Sequence, residues 1–213
     1  MSRILLITRP KHDVTTHYLF NWAKAIIDLA IKKRVEVLDL KLGRANKKEF
    51  TSIIPRGQLC FVFLNGHGDV DCVCGYNDEI LIKVGENERL LESKIVYALS
   101  CRSGRELGPK SIKAGAKAYI GYNDDFIFVF EADKVTKPLQ DFTAKLFLYP
   151  SNYIARCLLK GHTVEDSCRR SQKLFMDNIQ KLLSSEASSE LVPYLFWDMR
   201  HQVCLGNRAS YLI

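Results

Sequence analysis

Two residues of this chain combine reactive chemistry with a placement that could use it, His67 and Cys101. Leu59-Cys60-Phe61-Val62-Phe63-Leu64 is rich in aromatic and β-branched residues and closes on Asn65-Gly66-His67-Gly68, which predicts a buried strand ending at a histidine. Ile95-Val96-Tyr97-Ala98-Leu99-Ser100 predicts a second strand, covered on both faces, that stops at Cys101-Arg102-Ser103-Gly104. In open α/β sheets, ligands gather beyond the carboxyl ends of the strands. As parallel neighbours about 4.8 Å apart, these two would bring both side chains to one substrate. A thiolate is a working nucleophile, and a cysteine beside a helix N-terminus gains from the positive end of the helix dipole. His67 would act as acid and base. Gly68, lacking a side chain, would let its N–H approach a substrate carbonyl, with the Cys101 N–H as the second oxyanion donor. Taken singly, each residue has a blander reading, a turn histidine and a small buried thiol. Their order at the ends of consecutive predicted strands favours chemistry.

The elements that must hold this pair read as alternating strands and helices. Ile4 to Thr8 predicts the first strand; Thr15-Thr16 read as caps of a helix bearing Leu19, Ala23, Ile26, Ile27 and Ala30; Val35 to Leu40 predicts the second strand. A helical segment from about Asn46 to Ile54 leads to Pro55 and a turn at Gly57. Turn clusters at Gly75-Tyr76-Asn77-Asp78 and Gly85-Glu86-Asn87-Glu88 flank Ile80 to Val84, as in a small hairpin. A helix of about one dozen residues is expected between Cys101 and Gly115, then a fifth strand at Lys117 to Tyr122 followed by Asn123-Asp124-Asp125. Beyond Val135 the pattern is helical: Pro138 to Leu148, another helix opened by Pro150, a third capped by Thr163 with Asp166, a fourth from Glu190 to Met199, and a last short strand at Gln202 to Leu205. The expected fold is α/β, a three-layer αβα sandwich with a mostly parallel sheet of about six strands, formed by residues 1–213 as one domain.

Composition narrows the function classes. A chain of 213 residues, 47% hydrophobic, can bury a sizeable core. Ile4 to Ile7 is far too short for a membrane span and is flanked by Arg3, Arg9 and Lys11, so the expectation is a soluble, cytoplasmic protein without membrane contact. The formal charge of +7 is scattered among 24 acidic residues, with only short clusters such as Lys32-Lys33-Arg34, which disfavours nucleic acid as a partner. Seven cysteines form no regular framework, and most read as reduced core residues. Cys72 and Cys74, near His67, read as facing away from each other, and no second paired set of ligands completes a tetrahedron; no metal and no cofactor is expected. His12, His17, His162 and His201 have no evident partners. A cysteine-based phosphatase would need arginine where Leu107 stands, and Gly66-x-Gly68 lacks the third glycine and the position of a dinucleotide fingerprint.

Phe63-Leu64-Asn65-Gly66-His67-Gly68 followed by Tyr97-Ala98-Leu99-Ser100-Cys101-Arg102-Ser103-Gly104 resembles the caspase-like cysteine peptidases, the group of caspases, metacaspases, gingipains, clostripain, separases and CHAT domains. The likeness continues through Leu107-Gly108, Gly115 to Tyr122 and Val203 to Asn207. The resemblance implies Cys101 as nucleophile, His67 as acid and base and an oxyanion hole at Gly68. Leu99 stands where metacaspases have an acid, and no long linker follows the Cys101 strand, so the gingipain-like and CHAT-like branches are nearer than caspases proper. The implied function is a cysteine endopeptidase with a protein or peptide substrate and, where regulated, a regulatory protein partner. Asp124 and Asp125 lie where separase-like relatives recognise a basic side chain, which implies cleavage after Arg or Lys. Arg9 keeps the opposite choice open, since caspases hold an acidic side chain near that place. The alternatives are a catalytically silent caspase-like interaction module and a ligand-binding doubly wound domain.

Overall fold

A computed structural model describes residues 3–55, 59–184 and 189–212; the turn expected at Gly57 lies outside the described residues. In chain order the elements are β1 (Ile4–Arg9), α1 (Val14–Trp22), α2 (Lys24–Lys32), β2 (Glu36–Lys41), α3 (Lys47–Ile53), β3 (Leu59–Asn65), β4 (Gly68–Asp69), β5 (Cys72–Cys74) and β6 (Ile80–Lys83). They continue with β7 (Ile95–Leu99), α4 (Leu107–Lys113), β8 (Ala118–Tyr122), α5 (Phe142–Leu159), α6 (Val164–Leu183), α7 (Val192–His201) and β9 (Gln202–Gly206). Six strands form the central sheet in the order β2-β1-β3-β7-β8-β9. Every pairing in it is parallel except that of β9, which runs antiparallel to β8. The remaining three make a small antiparallel sheet, β4-β5-β6, in place of the expected hairpin.

The continuous apolar runs of β1, β3 and β7 are explained by cover on both faces. Leu5, Ile7, Phe61, Phe63, Ile95, Tyr97, Ile120 and Tyr122 point to one side, against Tyr18, Ile26, Ala144, Leu148, Ile154 and Leu158 from α1, α2 and α5. Their sequence neighbours Ile4, Leu6, Val62, Leu64, Val96, Ala98 and Tyr119 point to the other, against Phe50 and Ile53 of α3, Leu107 of α4 and Val73, Leu81 and Ile82 of the small sheet. The alternation of a strand thus sorts one sequence into two cores, and the three-layer expectation is met.

Several local expectations are corrected. α1 is capped by Asp13 rather than Thr15 or Thr16: the Asp13 carboxylate accepts from the Thr16 N–H at 2.7 Å, and the Thr16 hydroxyl accepts from the Asp13 N–H at 3.1 Å. The helix predicted after the first strand is two segments meeting at Ala23. Pro150 does not open a helix but lies inside α5. Proline there has no N–H to offer the Leu146 carbonyl, one turn back. Asn178 of α6 supplies the missing donor, its Nδ2 lying 2.8 Å from the Leu146 oxygen, and the Ser171 hydroxyl donates to the Pro150 carbonyl at 2.9 Å. The helix expected directly after Cys101 is shorter and later: residues 101–106 are turns, and α4 spans seven residues. Cys72 and Cys74 do not face apart. They sit side by side in β5, and burial, with contact between the two thiols, pushes Cys74 up to about 12.

Candidate active site

Strand register sets the site. β3 and β7 pair in parallel from Phe61 opposite Ile95 to Asn65 opposite Leu99. His67 and Cys101 each lie two residues beyond that last pair, on neighbouring chain segments at one edge of the sheet. Gly66 makes the exit from β3 possible. Its φ of +149° suits glycine, and a Cβ there would stand 2.3 Å from the Cys74 carbonyl oxygen. Gly68 is pressed against the Cys101 segment, because a Cβ on it would meet Ser100 Oγ at 2.0 Å, the Cys72 oxygen at 2.9 Å and the Cys101 oxygen at 3.1 Å. Position 68 therefore has room for glycine and for no side chain.

On the other side of His67 is a residue that the sequence motif does not include. The end of β1 is fastened to the end of β3 by Thr8 and Asn65: the Asn65 N–H donates to Thr8 Oγ1 at 2.9 Å, and Asn65 Nδ2 donates to the Thr8 carbonyl at 3.0 Å. That fastening carries Asp13, at the start of α1, to His67, whose Nε2 lies 2.5 Å from Asp13 Oδ2. Burial opposes ionisation of Asp13. The Thr16 N–H, the His67 ring and the Thr16 hydroxyl overcome it and hold the carboxyl at about 2. An ionised acceptor requires Nε2 to carry the proton, which leaves the Nδ1 lone pair free for chemistry. The sequence marks Asp13 only as a residue able to cap a helix; nothing local ties it to His67. A cleft of about 360 Å³ beside the pair is lined by Lys11, His12, Asp13, Val14, His17 and Val135.

Cys101 is half-buried, and its thiol lies 3.8 Å from the Phe126 carbonyl oxygen. Burial pushes the thiol up; the Phe126 backbone and the Arg102 guanidinium pull against this, and Asp125 adds to it. With α4 beginning only at Leu107, the helix-dipole contribution expected for Cys101 is not realised. Instead the turn after β7 is stitched to the turn after β8. The Gly104 N–H donates to the Tyr122 carbonyl at 2.8 Å and the Arg102 N–H to the Asp124 carbonyl at 3.0 Å. Arg102 forks onto Asp125 at 2.8 and 2.9 Å, and Arg105 reaches Asp124 at 3.0 Å. α7 fastens the same turn from outside. Trp197 Nε1 donates to the Asp125 carbonyl at 3.0 Å, and the wholly buried Asp198 accepts from the Ile127 N–H at 2.9 Å.

The two acids considered for substrate contact, Asp124 and Asp125, thus stand next to Cys101 but carry arginine partners. Arg9 is buried and directed at β2: it is forked onto Asp39, donates to the Phe20 carbonyl at 3.1 Å, and stacks on the Phe20 ring at 4.3 Å. Three of the four remaining histidines have partners after all. His12 lies 3.2 Å from Asp78, His17 reaches the Val135 carbonyl at 3.1 Å and His201 reaches Asn123 at 2.8 Å.

No protein-family model matches the chain, and no curated protein matches it in sequence. Among solved structures, the crystal structure of the Arg-specific cysteine proteinase gingipain R aligns with a TM-score of 0.64 at 9% identity, over 99% of this chain and 47% of that one. The complex of the pro- and mature domains of Porphyromonas gingivalis RgpB aligns with a TM-score of 0.62 at 10% identity, over 99% of this chain and 48% of that one. The chain spans about half the length of these two proteins. At these identities the likeness is one of fold, and the fold of this chain is that of the caspase-like cysteine peptidases.

Proposed function

We propose that the chain is a cysteine endopeptidase working through Cys101 and His67, with Asp13 as the residue that positions the histidine. One observation carries this reading: His67 and Cys101 follow paired strand ends at one sheet edge, with a carboxylate 2.5 Å from Nε2 of the imidazole. In this mechanism His67 Nδ1 takes the Cys101 proton and the thiolate adds to the scissile carbonyl. The oxyanion is held by the backbone N–H groups of Gly68 and Cys101. The imidazolium, stabilised by Asp13, returns the proton to the leaving amine, and water then hydrolyses the thioester.

Cleavage after a basic residue is the better-supported specificity. Both carboxylates are partly open to solvent beside the Cys101 turn, so a substrate guanidinium can compete for them, more readily for Asp124 than for Asp125, which Arg102 holds by a two-bond fork. Arg9 is held by Asp39, the Phe20 carbonyl and the Phe20 ring, so an acidic substrate would have to displace a partly buried pair. The RgpB structure pairs pro- and mature domains, which supports a protein partner for this fold as well as a protein substrate.

The silent interaction module is the second reading, and it draws on the Cys101 thiol being pushed up by burial where a nucleophile needs it lowered. A peptide-library assay with wild type and Cys101→Ala, together with labelling by a peptidyl acyloxymethyl ketone, separates the two. Turnover lost in Cys101→Ala and label on Cys101 support the peptidase. An unlabelled Cys101 in the folded protein, with candidate activators present, would overturn it.

A further inference from the structure

Three residues far apart in sequence converge beside the proposed dyad: His12 ahead of α1, His67 after β3, and Asp78 in the turn between β5 and β6. One ligand atom from each lies within 4.8 Å of the others. The His12 side chain is only 10% exposed, its Nε2 is 3.2 Å from Asp78 Oδ1, and among the described residues its buried Nδ1 has no hydrogen-bond partner. The Nε2 contact is with an exposed carboxylate, a pairing of small worth on its own. A nearly buried imidazole thus lies within reach of a second imidazole and a carboxylate.

Zinc-class ions bind imidazole nitrogen at about 2.0–2.1 Å and carboxylate oxygen at about 2.0–2.2 Å, and three protein ligands with an open fourth position are a recurrent arrangement. The spacing here closes onto such an ion by side-chain rotation, because Asp78 and the His67 ring are solvent-exposed while His12 is the fixed member. Asp78 has a φ of +59°, a left-handed conformation that aspartate tolerates, so the carboxylate can be presented without glycine. Asp13, whose Oδ2 is 3.9 Å from His12 Nε2 as well as 2.5 Å from His67, adds negative charge alongside. Two imidazoles select zinc-class metals over calcium and magnesium, which prefer all-oxygen sets.

We propose that His12, His67 and Asp78 form a divalent-metal site of the zinc class whose occupancy switches off the enzyme. The inhibitory part rests on the peptidase reading; the binding part does not. A metal ion takes a lone pair of His67 and displaces any proton from that nitrogen, so the ring no longer cycles between neutral and protonated forms. The fourth coordination position is left to water.

The test uses Cys101→Ala, which removes the Cys101 thiol as a competing ligand. Zn²⁺ titrated calorimetrically should bind at one equivalent, and Co²⁺ should show a tetrahedral ligand-field spectrum without thiolate charge transfer. His12→Ala and Asp78→Asn, each added to Cys101→Ala, should weaken Zn²⁺ binding by at least ~10-fold, the scale seen when even an outer-shell partner is lost. Asparagine also tolerates the left-handed backbone at 78, so Asp78→Asn keeps the comparison interpretable if His12→Ala misfolds. In otherwise wild-type protein, Asp78→Asn should keep basal turnover and need at least ~10-fold more Zn²⁺ for inhibition, with chelation restoring activity. Binding that disappears in Cys101→Ala, binding unchanged by both ligand substitutions, or no binding at all would overturn the site. Absence of peptidase activity in every variant, with Zn²⁺ still bound through His12 and Asp78, would overturn the function and leave the site standing.

Discussion

Asp13 has two jobs in this structure, and replacing it with asparagine separates them. As the cap of α1 it accepts from the Thr16 N–H, which asparagine does equally well, so Asp13→Asn should leave thermal stability almost unchanged. Asp13→Ala loses the cap, worth about 1 kcal/mol, and a chain of this size should melt about 2–4 °C lower. As the acceptor on His67 Nε2, the carboxylate in the proposed mechanism would fix the tautomer and stabilise the imidazolium, and an amide whose oxygen caps α1 would do neither. In a buried serine triad that loss reaches ~10⁴-fold. Here the pair is partly exposed, so water recovers part of the effect, and about 10²- to 10³-fold is expected, equivalent to about 2.7–4 kcal/mol of transition-state stabilisation. The assay is kcat/KM on fluorogenic peptides beside a melting curve for each variant. Should Asp13→Asn turn over within about threefold of wild type, a change of under about 1 kcal/mol, Asp13 is a cap and nothing more, and the positioning role is refuted.

Other outcomes follow from single contacts. Burial holds the Asp198 carboxyl protonated well above its usual range, so its folded pKa exceeds its unfolded one and stability falls as pH rises between the two. In that window Asp198→Asn should gain on wild type by about 1.4 kcal/mol per pH unit in urea titrations, and parallel profiles would contradict this. Gly68→Ala should cost about 1–3 kcal/mol and activity as well; adding Ser100→Ala should not restore it, because the Cys72 and Cys101 carbonyls still crowd the new methyl. Asn178→Ala strands the Leu146 carbonyl and should cost about 1–3 kcal/mol, much less in a Pro150→Ala background where the backbone N–H returns; additive losses would show that Asn178 does not serve that carbonyl. On Arg-, Lys- and Asp-terminated peptides, Asp124→Ala or Asp125→Ala should lower turnover of the basic substrates and Arg9→Ala should not raise discrimination against the acidic one. Best cutting of the Asp-terminated peptide would reverse the specificity.

What is legible in the sequence is whatever a strand writes locally. Continuous apolar runs mark β1, β3 and β7 because both faces of those strands are covered; a strand with one wet face would break the run with a polar residue at every second position. His67 and Cys101 can be placed at one edge because each follows such a run directly. Asp13 cannot be tied to them, since its arrival depends on Thr8 and Asn65 joining β1 to β3 across the sheet. The helix through Pro150 escapes a local reading for the same reason: local propensity breaks it, and a side chain from α6 repairs it. The arginine partners of Asp124 and Asp125 lie in the turn that also carries Cys101, so their spacing is visible in the sequence but the fold that closes it is not.

The stitching of the Cys101 turn to the turn after β8, and of that turn to α7, sets an order of events during synthesis. β3 and β7 can pair as soon as they emerge, but Trp197 and Asp198 are added far later. At about 5–20 residues per second, the surroundings of Cys101 wait roughly 5–20 s for their last fasteners. A nascent chain can therefore hold a formed sheet and an unfinished site together. By this timing, the Cys101 turn receives its last fastening only once α7 has been made.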